Sequence, residues 1–96
     1  MNTLPLSIEH DHPAYAGHFP GRPILPGVVL LDRAQRALEA VCPCRIAGLA
    51  QAKFLSPVQP GEALELDYET SATGLRFEIR CGTRRVASGR YSLATP

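Results

Sequence analysis

The sequence lacks any apolar run long enough to cross a bilayer. The longest nearly apolar stretch is Ile24 to Leu31, and Pro26 and Gly27 interrupt it. A transmembrane helix needs about 20 such residues. The first ten residues carry no basic region followed by an apolar core, so no secretory signal is expected and the cytoplasm is the expected compartment. No charge of one sign dominates: nine Arg and one Lys stand against nine acidic residues, a net charge of +1. That balance gives no field to gather nucleic acid or an anionic membrane, and neither is an expected partner. Cysteine is sparse. Cys42 and Cys44 have a single residue between them, which is neither a redox pair nor a zinc knuckle, and Cys81 is alone. Reduced, partly buried thiols are expected.

What is present is ordinary globular material: 45% hydrophobic and 20% charged over 96 residues. That is one domain, 1–96, too short for two cores. So small a core favours burial against a second subunit.

Proline and glycine are unevenly placed. Pro13, Pro20, Pro23, Pro26, Gly17, Gly21 and Gly27 crowd into residues 13–27. Proline fixes φ and glycine makes the turns others cannot, so this is a specified loop and not a linker. A helix is expected next, over 28–42. Leu30, Leu31, Ala34, Ala37, Leu38, Val41 and Cys42 fall on one side of the wheel, with Asp32, Arg33, Gln35, Arg36 and Glu39 opposite. Pro26-Gly27 opens it and Pro43 stops it.

The second half switches to period two. Leu64, Leu66 and Tyr68 alternate with acidic residues in Glu62–Glu69, and Leu75, Phe77, Ile79 and Cys81 alternate with charges in Leu75–Cys81. These are half-buried antiparallel strands. Further strands are expected at Thr3–His10, Ile46–Leu55 and Arg85–Leu93, with a bulge at Gly89. One long helix against one antiparallel sheet is an α+β architecture.

The loop carries the chemistry. It places His18 on a rigid segment, then a helix N-terminus, then the carboxylate of Asp32. Histidine is the natural general base near neutral pH. The first N–H groups of a helix have no internal partner and can receive an oxyanion. A base, an acid and an oxyanion site suit proton abstraction beside a carbonyl with loss of a β-substituent.

The segment His18-Phe19-Pro20-Gly21-Arg22-Pro23-Ile24-Leu25-Pro26-Gly27, followed by Asp32, resembles the active-site signature of the hot-dog-fold (3R)-hydroxyacyl-acyl-carrier-protein dehydratases. Ala52-Lys53-Phe54-Leu55-Ser56-Pro57-Val58-Gln59-Pro60-Gly61-Glu62 is similar to that family's strand and turn. The likeness runs from about His10 to Leu93, and is nearest to the short dehydratases of aryl-polyene and related pigment pathways.

The resemblance implies a hot-dog fold, with the sheet wrapped around the helix at 28–42, paired as a homodimer or larger multiple. It implies dehydration of a (3R)-hydroxyacyl thioester, carried on acyl-carrier protein or coenzyme A, to the trans-2-enoyl thioester. His18 would take the C2 proton, and Asp32 would protonate the departing hydroxyl or orient water for it. The Gly27 N–H, with that of Val28, would bind the thioester oxygen. His18 and Asp32 would come from different chains. Asp32 stands where zinc-free family members usually carry Glu. No cofactor is implied.

Other readings compete. His10 and His12 would share one strand face, but no third ligand has metal-site spacing, so no metal is expected. Arg22, Arg84 and Arg85 are solvated surface, or else meet an acidic carrier protein. Asp32 at a helix start gains from the dipole without any function, and Arg36 four residues on is placed to pair with it. The rival functions are a hot-dog acyl thioesterase and a non-catalytic acyl-binding or partner subunit.

Overall fold

The computed structural model describes residues 2–8, 24–42, 45–72 and 74–94. Five strands and a helix follow in the order β1 (Asn2–Leu6), α1 (Gly27–Val41), β2 (Ile46–Phe54), β3 (Leu64–Ser71), β4 (Gly74–Cys81) and β5 (Arg84–Leu93). The strands form one sheet in the order β1-β3-β4-β5-β2, antiparallel throughout.

The helix buries a stripe of residues four apart: Leu30, Ala34 and Leu38. They join Leu66, Leu75, Phe77, Ile79, Val86, Ala87 and Tyr91 in one core. Full burial of each leucine contributes about 1.5–3 kcal/mol. The stripe is narrower than the apolar side of the wheel: Leu31, Ala37 and Cys42 only pack against its border, and Val41 is 52% exposed. The helix also ends one residue early. Cys42 is its cap, in extended backbone, with its N–H on the Leu38 carbonyl at 2.8 Å. Pro43 disfavours helical backbone in the residue before it.

Period two is kept in the central strands. Leu64 and Leu66 of β3, and Leu75, Phe77 and Ile79 of β4, are buried while the residues between them face out. The outer face is stitched by charge. Arg80 donates from Nε to Asp67 at 2.8 Å and from Nη1 to Glu65 at 3.1 Å, and the Thr3 hydroxyl donates to Asp67 at 2.6 Å. Three strands, β1, β3 and β4, meet in that cluster.

The bulges lie elsewhere than at Gly89, which keeps regular pairing with Ala52 and Phe77. The pairing of β2 with β5 skips Ala47 and Ala50, and that of β5 with β4 skips Val86. The Val86 bulge explains why Val86 and Ala87 are both buried in succession. Gly89 has a different reason. A Cβ there would collide with the Gln51 carbonyl oxygen and lie 2.9 Å from the Phe77 ring. The β4–β5 turn needs only two residues, and Gly82 enters it at φ +62°.

Strand 1 is described as strand only to Leu6, and the residues expected to continue it at Glu9 and His10 lie outside the described residues. At the other edge, β2 has only β5 beside it among the described residues. No helix among them is long and apolar enough to cross a membrane.

Candidate active site

The helix N-terminus is built from Pro26. Its backbone is extended, at φ −61° and ψ 143°, and no side chain caps it. Its carbonyl accepts from the Val29 N–H at 3.1 Å and the Leu30 N–H at 3.3 Å. Gly27 and Val28 precede those bonds, so their N–H groups carry the positive end of the helix dipole.

The segment ahead of the helix is tied to the strand side of the molecule. The Leu25 N–H donates to the Val58 carbonyl at 2.9 Å. The end of β2 is fixed in turn, because the Leu55 and Ser56 N–H groups both reach the Val86 carbonyl, at 2.8 and 3.2 Å. Between these walls runs an open groove of about 370 Å³, lined by Leu25, Gly27, Leu30 and Phe54–Val58. The Phe54 ring lies against Gly27. A Cβ on residue 27 would sit 2.5 to 3.0 Å from three of its atoms.

Asp32 lies on another side of the helix. It is more than half exposed and pairs with Arg36 at 3.0 Å. Val28, Val29, Asp32, Arg33 and Arg36 line their own shallow depression, separate from the groove at Gly27. The structure therefore places Gly27 and Val28 together at the helix start and puts Asp32 on a depression separate from the Gly27 groove of its own chain. His18 lies outside the described residues, as do His10, Asp11, His12 and Arg22.

Arg84 and Arg85 are engaged within the chain. Arg84 pairs with Glu62 and donates to the Pro57 carbonyl at 3.4 Å, and Arg85 pairs with Glu78 at 3.0 Å. Desolvation pushes the Glu62 carboxyl up, yet the Gln59 N–H and the Arg84 guanidinium outweigh it and hold it below its ordinary value. These contacts brace the turn that follows the groove. Cys42 and Cys81 are half-buried thiols beside the core.

Two contacts near the site go beyond what the sequence marked. Phe54 covers Gly27, as described. Tyr91, from β5, is buried, stacks on Phe77 with centroids 4.8 Å apart, and donates its hydroxyl to the Leu31 carbonyl at 2.8 Å. A buried tyrosine hydroxyl needs a partner, but strand alternation alone says nothing of which one.

An antiparallel sheet in the order 1-3-4-5-2, with one helix packed over it, is a hot-dog fold. The chain belongs to the ApeI-like dehydratase family: the family model, described as ApeI dehydratase, matches residues 2–90. A 3-hydroxyacyl-[acyl-carrier-protein] dehydratase FabZ from Chlamydia trachomatis is 42% identical over 102 residues, 90% of this chain and 67% of that protein. The protein of the same name from Haemophilus influenzae is 31% identical over 105 residues, 88% of this chain and 71% of that one. Among solved structures, the dehydratase heterocomplex ApeI:P from Xenorhabdus doucetiae superposes with a TM-score of 0.77 at 23% identity, covering 97% of this chain and 86% of that one. An uncharacterized protein from Erwinia carotovora subsp. atroseptica superposes with a TM-score of 0.72 at 29% identity, covering 96% and 79%.

Proposed function

We propose that the protein dehydrates a (3R)-hydroxyacyl thioester, carried on acyl-carrier protein or coenzyme A, to the trans-2-enoyl thioester. The observation that carries this is the match of residues 2–90 to a dehydratase family, together with a helix start that presents the Gly27 N–H beside an apolar groove. His18 takes the C2 proton, and the electron pair of that C–H bond moves toward the thioester carbonyl. The Gly27 and Val28 N–H groups donate to the carbonyl oxygen as it gains negative charge. The C2–C3 double bond then forms, the C3–O bond breaks, and Asp32 supplies the proton that lets the hydroxyl leave as water.

Each site combines His18 of one subunit with Asp32 of another. The separation of Asp32 from the Gly27 groove of its own chain favours this arrangement, as does the lone neighbour of β2. In the assembled site the acyl chain and the second subunit desolvate Asp32 and compete with Arg36 for it.

Supplying a 3-hydroxyacyl thioester tests the reading. Enoyl absorbance without free thiol supports dehydration, whereas free thiol without enoyl product means a thioesterase. The Arg36–Asp32 pair favours one second reading, a non-catalytic partner subunit. No turnover, with retained binding of acyl-carrier protein or a second hot-dog subunit, selects it.

A further inference from the structure

We propose that Phe54 is the residue that sets acyl-group selectivity, acting as a single-side-chain gate over Gly27. The proposal rests on the dehydratase reading for the identity of the acyl thioester, and on the geometry of the groove for the gate itself.

The groove beside Gly27 is apolar. Leu25, Leu30, Leu55, Pro57 and Val58 form its walls, and an acyl chain is the part of a thioester that such a surface takes. Its backbone is pinned on both sides, by Leu25 on Val58 and by Leu55 and Ser56 on Val86. The Phe54 ring is the movable part. It is outside the core cluster of its own chain and 53% exposed there, and its outer atoms fill the space directly above Gly27. The ring thus stands against the Gly27 backbone, next to where a carbonyl oxygen bound by the Gly27 N–H would lie. The ring must turn aside for a wide or long acyl group further than for a slim or short one. Its bulk therefore discriminates between acyl groups that share the same reacting atoms, by an amount set by hydrophobic and steric fit alone.

The test compares the wild-type protein with Phe54→Ala and Phe54→Leu on short-chain and long-chain 3-hydroxyacyl thioesters. Leu49→Ala serves as a control, an exposed apolar residue on the same strand that does not line the groove. Phe54→Ala should move the ratio of kcat/KM for long over short chains toward the long chain by about tenfold or more. Phe54→Leu should move it part of the way, and Leu49→Ala not at all. Unreactive acyl-pantetheine thioethers of the same lengths, titrated by calorimetry, give a readout independent of turnover. If no variant turns over substrate but Phe54→Ala still changes the length preference of thioether binding, the gate stands and the dehydratase reading falls. An unchanged ratio in folded variants overturns the gate. So does the same shift in Leu49→Ala, failure of any thioether to bind, or loss of assembly in both Phe54 variants by light scattering, which makes the ring an interface residue.

Discussion

The Tyr91 hydroxyl donates to the main-chain carbonyl of Leu31 at 2.8 Å, tying the last strand to the helix one residue before Asp32. Tyr91 is buried and Leu31 partly so, so the loss of this bond costs more than that of a surface contact. Burial pushes the Tyr91 phenol up to about 12, helped by the negative charges of Asp32 and Glu39. The neutral phenol is therefore the form that the fold prefers. Its contribution is fully present below the ordinary value of 10.0 and is lost as pH rises from there toward about 12. Tyr91→Phe keeps the ring stacked on Phe77 and should cost about 1 kcal/mol at neutral pH by denaturant unfolding. The gap between the two proteins should shrink through the alkaline window. A gap that stays constant to its end would show that the hydroxyl is not held neutral.

Asp67 gives the opposite sign. Hydrogen bonds from Arg80 and Thr3 hold its carboxyl below the ordinary aspartate value. Its contribution is present above that ordinary value and disappears as pH falls through the depressed one. Asp67→Asn should melt below wild type at neutral pH, and the two melting temperatures should converge in acid. Equal melting temperatures at pH 7 would reduce the Thr3–Asp67–Arg80 cluster to surface decoration.

If His18 is the general base proposed above, replacing it with Ala removes a group worth roughly 10²–10⁴ in rate. The variant should keep the circular dichroism of the parent. A folded His18→Ala with parental turnover would remove His18 from the chemistry.

At Gly27 the groove itself makes the prediction. A valine there begins 2.5 Å from the Phe54 ring and forces it outward. The ring is half exposed and can swing, so stability should fall by less than the about 1–3 kcal/mol of an overpacked core. If the Gly27 N–H holds the substrate carbonyl as proposed, activity should fall by about 10²-fold, because the carbonyl is displaced from it. Adding Phe54→Ala should restore the stability but not the activity. Recovery of both in the double variant would mean that Gly27 serves only to accommodate the ring.

These features differ in how far the sequence reveals them, for physical reasons. The helix was legible because burial of Leu30, Ala34 and Leu38 imposes a spacing of four on the apolar residues. Strands β3 and β4 were legible because each has one face on the core. Strand β2 is harder to read: it lies at an edge, is exposed along most of its length, and has lost strict alternation at Ala47 and Ala50. Gly89 reads as a bulge from sequence, but the cause is the crowding of Gln51 and Phe77, two contacts from other strands. Arg84 and Arg85 read as solvated surface or as contacts for an acidic carrier protein, and only the folded chain shows the acids of their own chain that they meet. Of the candidate site residues, Gly27, Val28 and Asp32 come from one local motif, and Asp32 lies on a depression separate from the Gly27 groove. Phe54 over Gly27 and Tyr91 on Leu31 join residues 27 and 60 positions apart, which no local pattern encodes.

The shared site can be tested by mixing two defective proteins. If His18 and Asp32 act across an interface, each site takes one residue from each chain. In a His18→Ala homodimer both sites lack the base, and in an Asp32→Asn homodimer both lack the acid. A heterodimer of the two carries one site with both defects and one site with both native residues. Random exchange makes about half of all dimers mixed, so up to about a quarter of wild-type activity should return. With both residues in one chain, every site in every mixture keeps a defect and nothing returns. The Arg36–Asp32 pair at 3.0 Å supplies the other outcome worth watching. If Asp32 is only a surface acid favoured by the helix dipole and by Arg36, Asp32→Asn alone will be near wild type, and mixing will merely dilute it. Two inactive parents, exchange verified by mass, and no recovery would reject the cross-subunit arrangement.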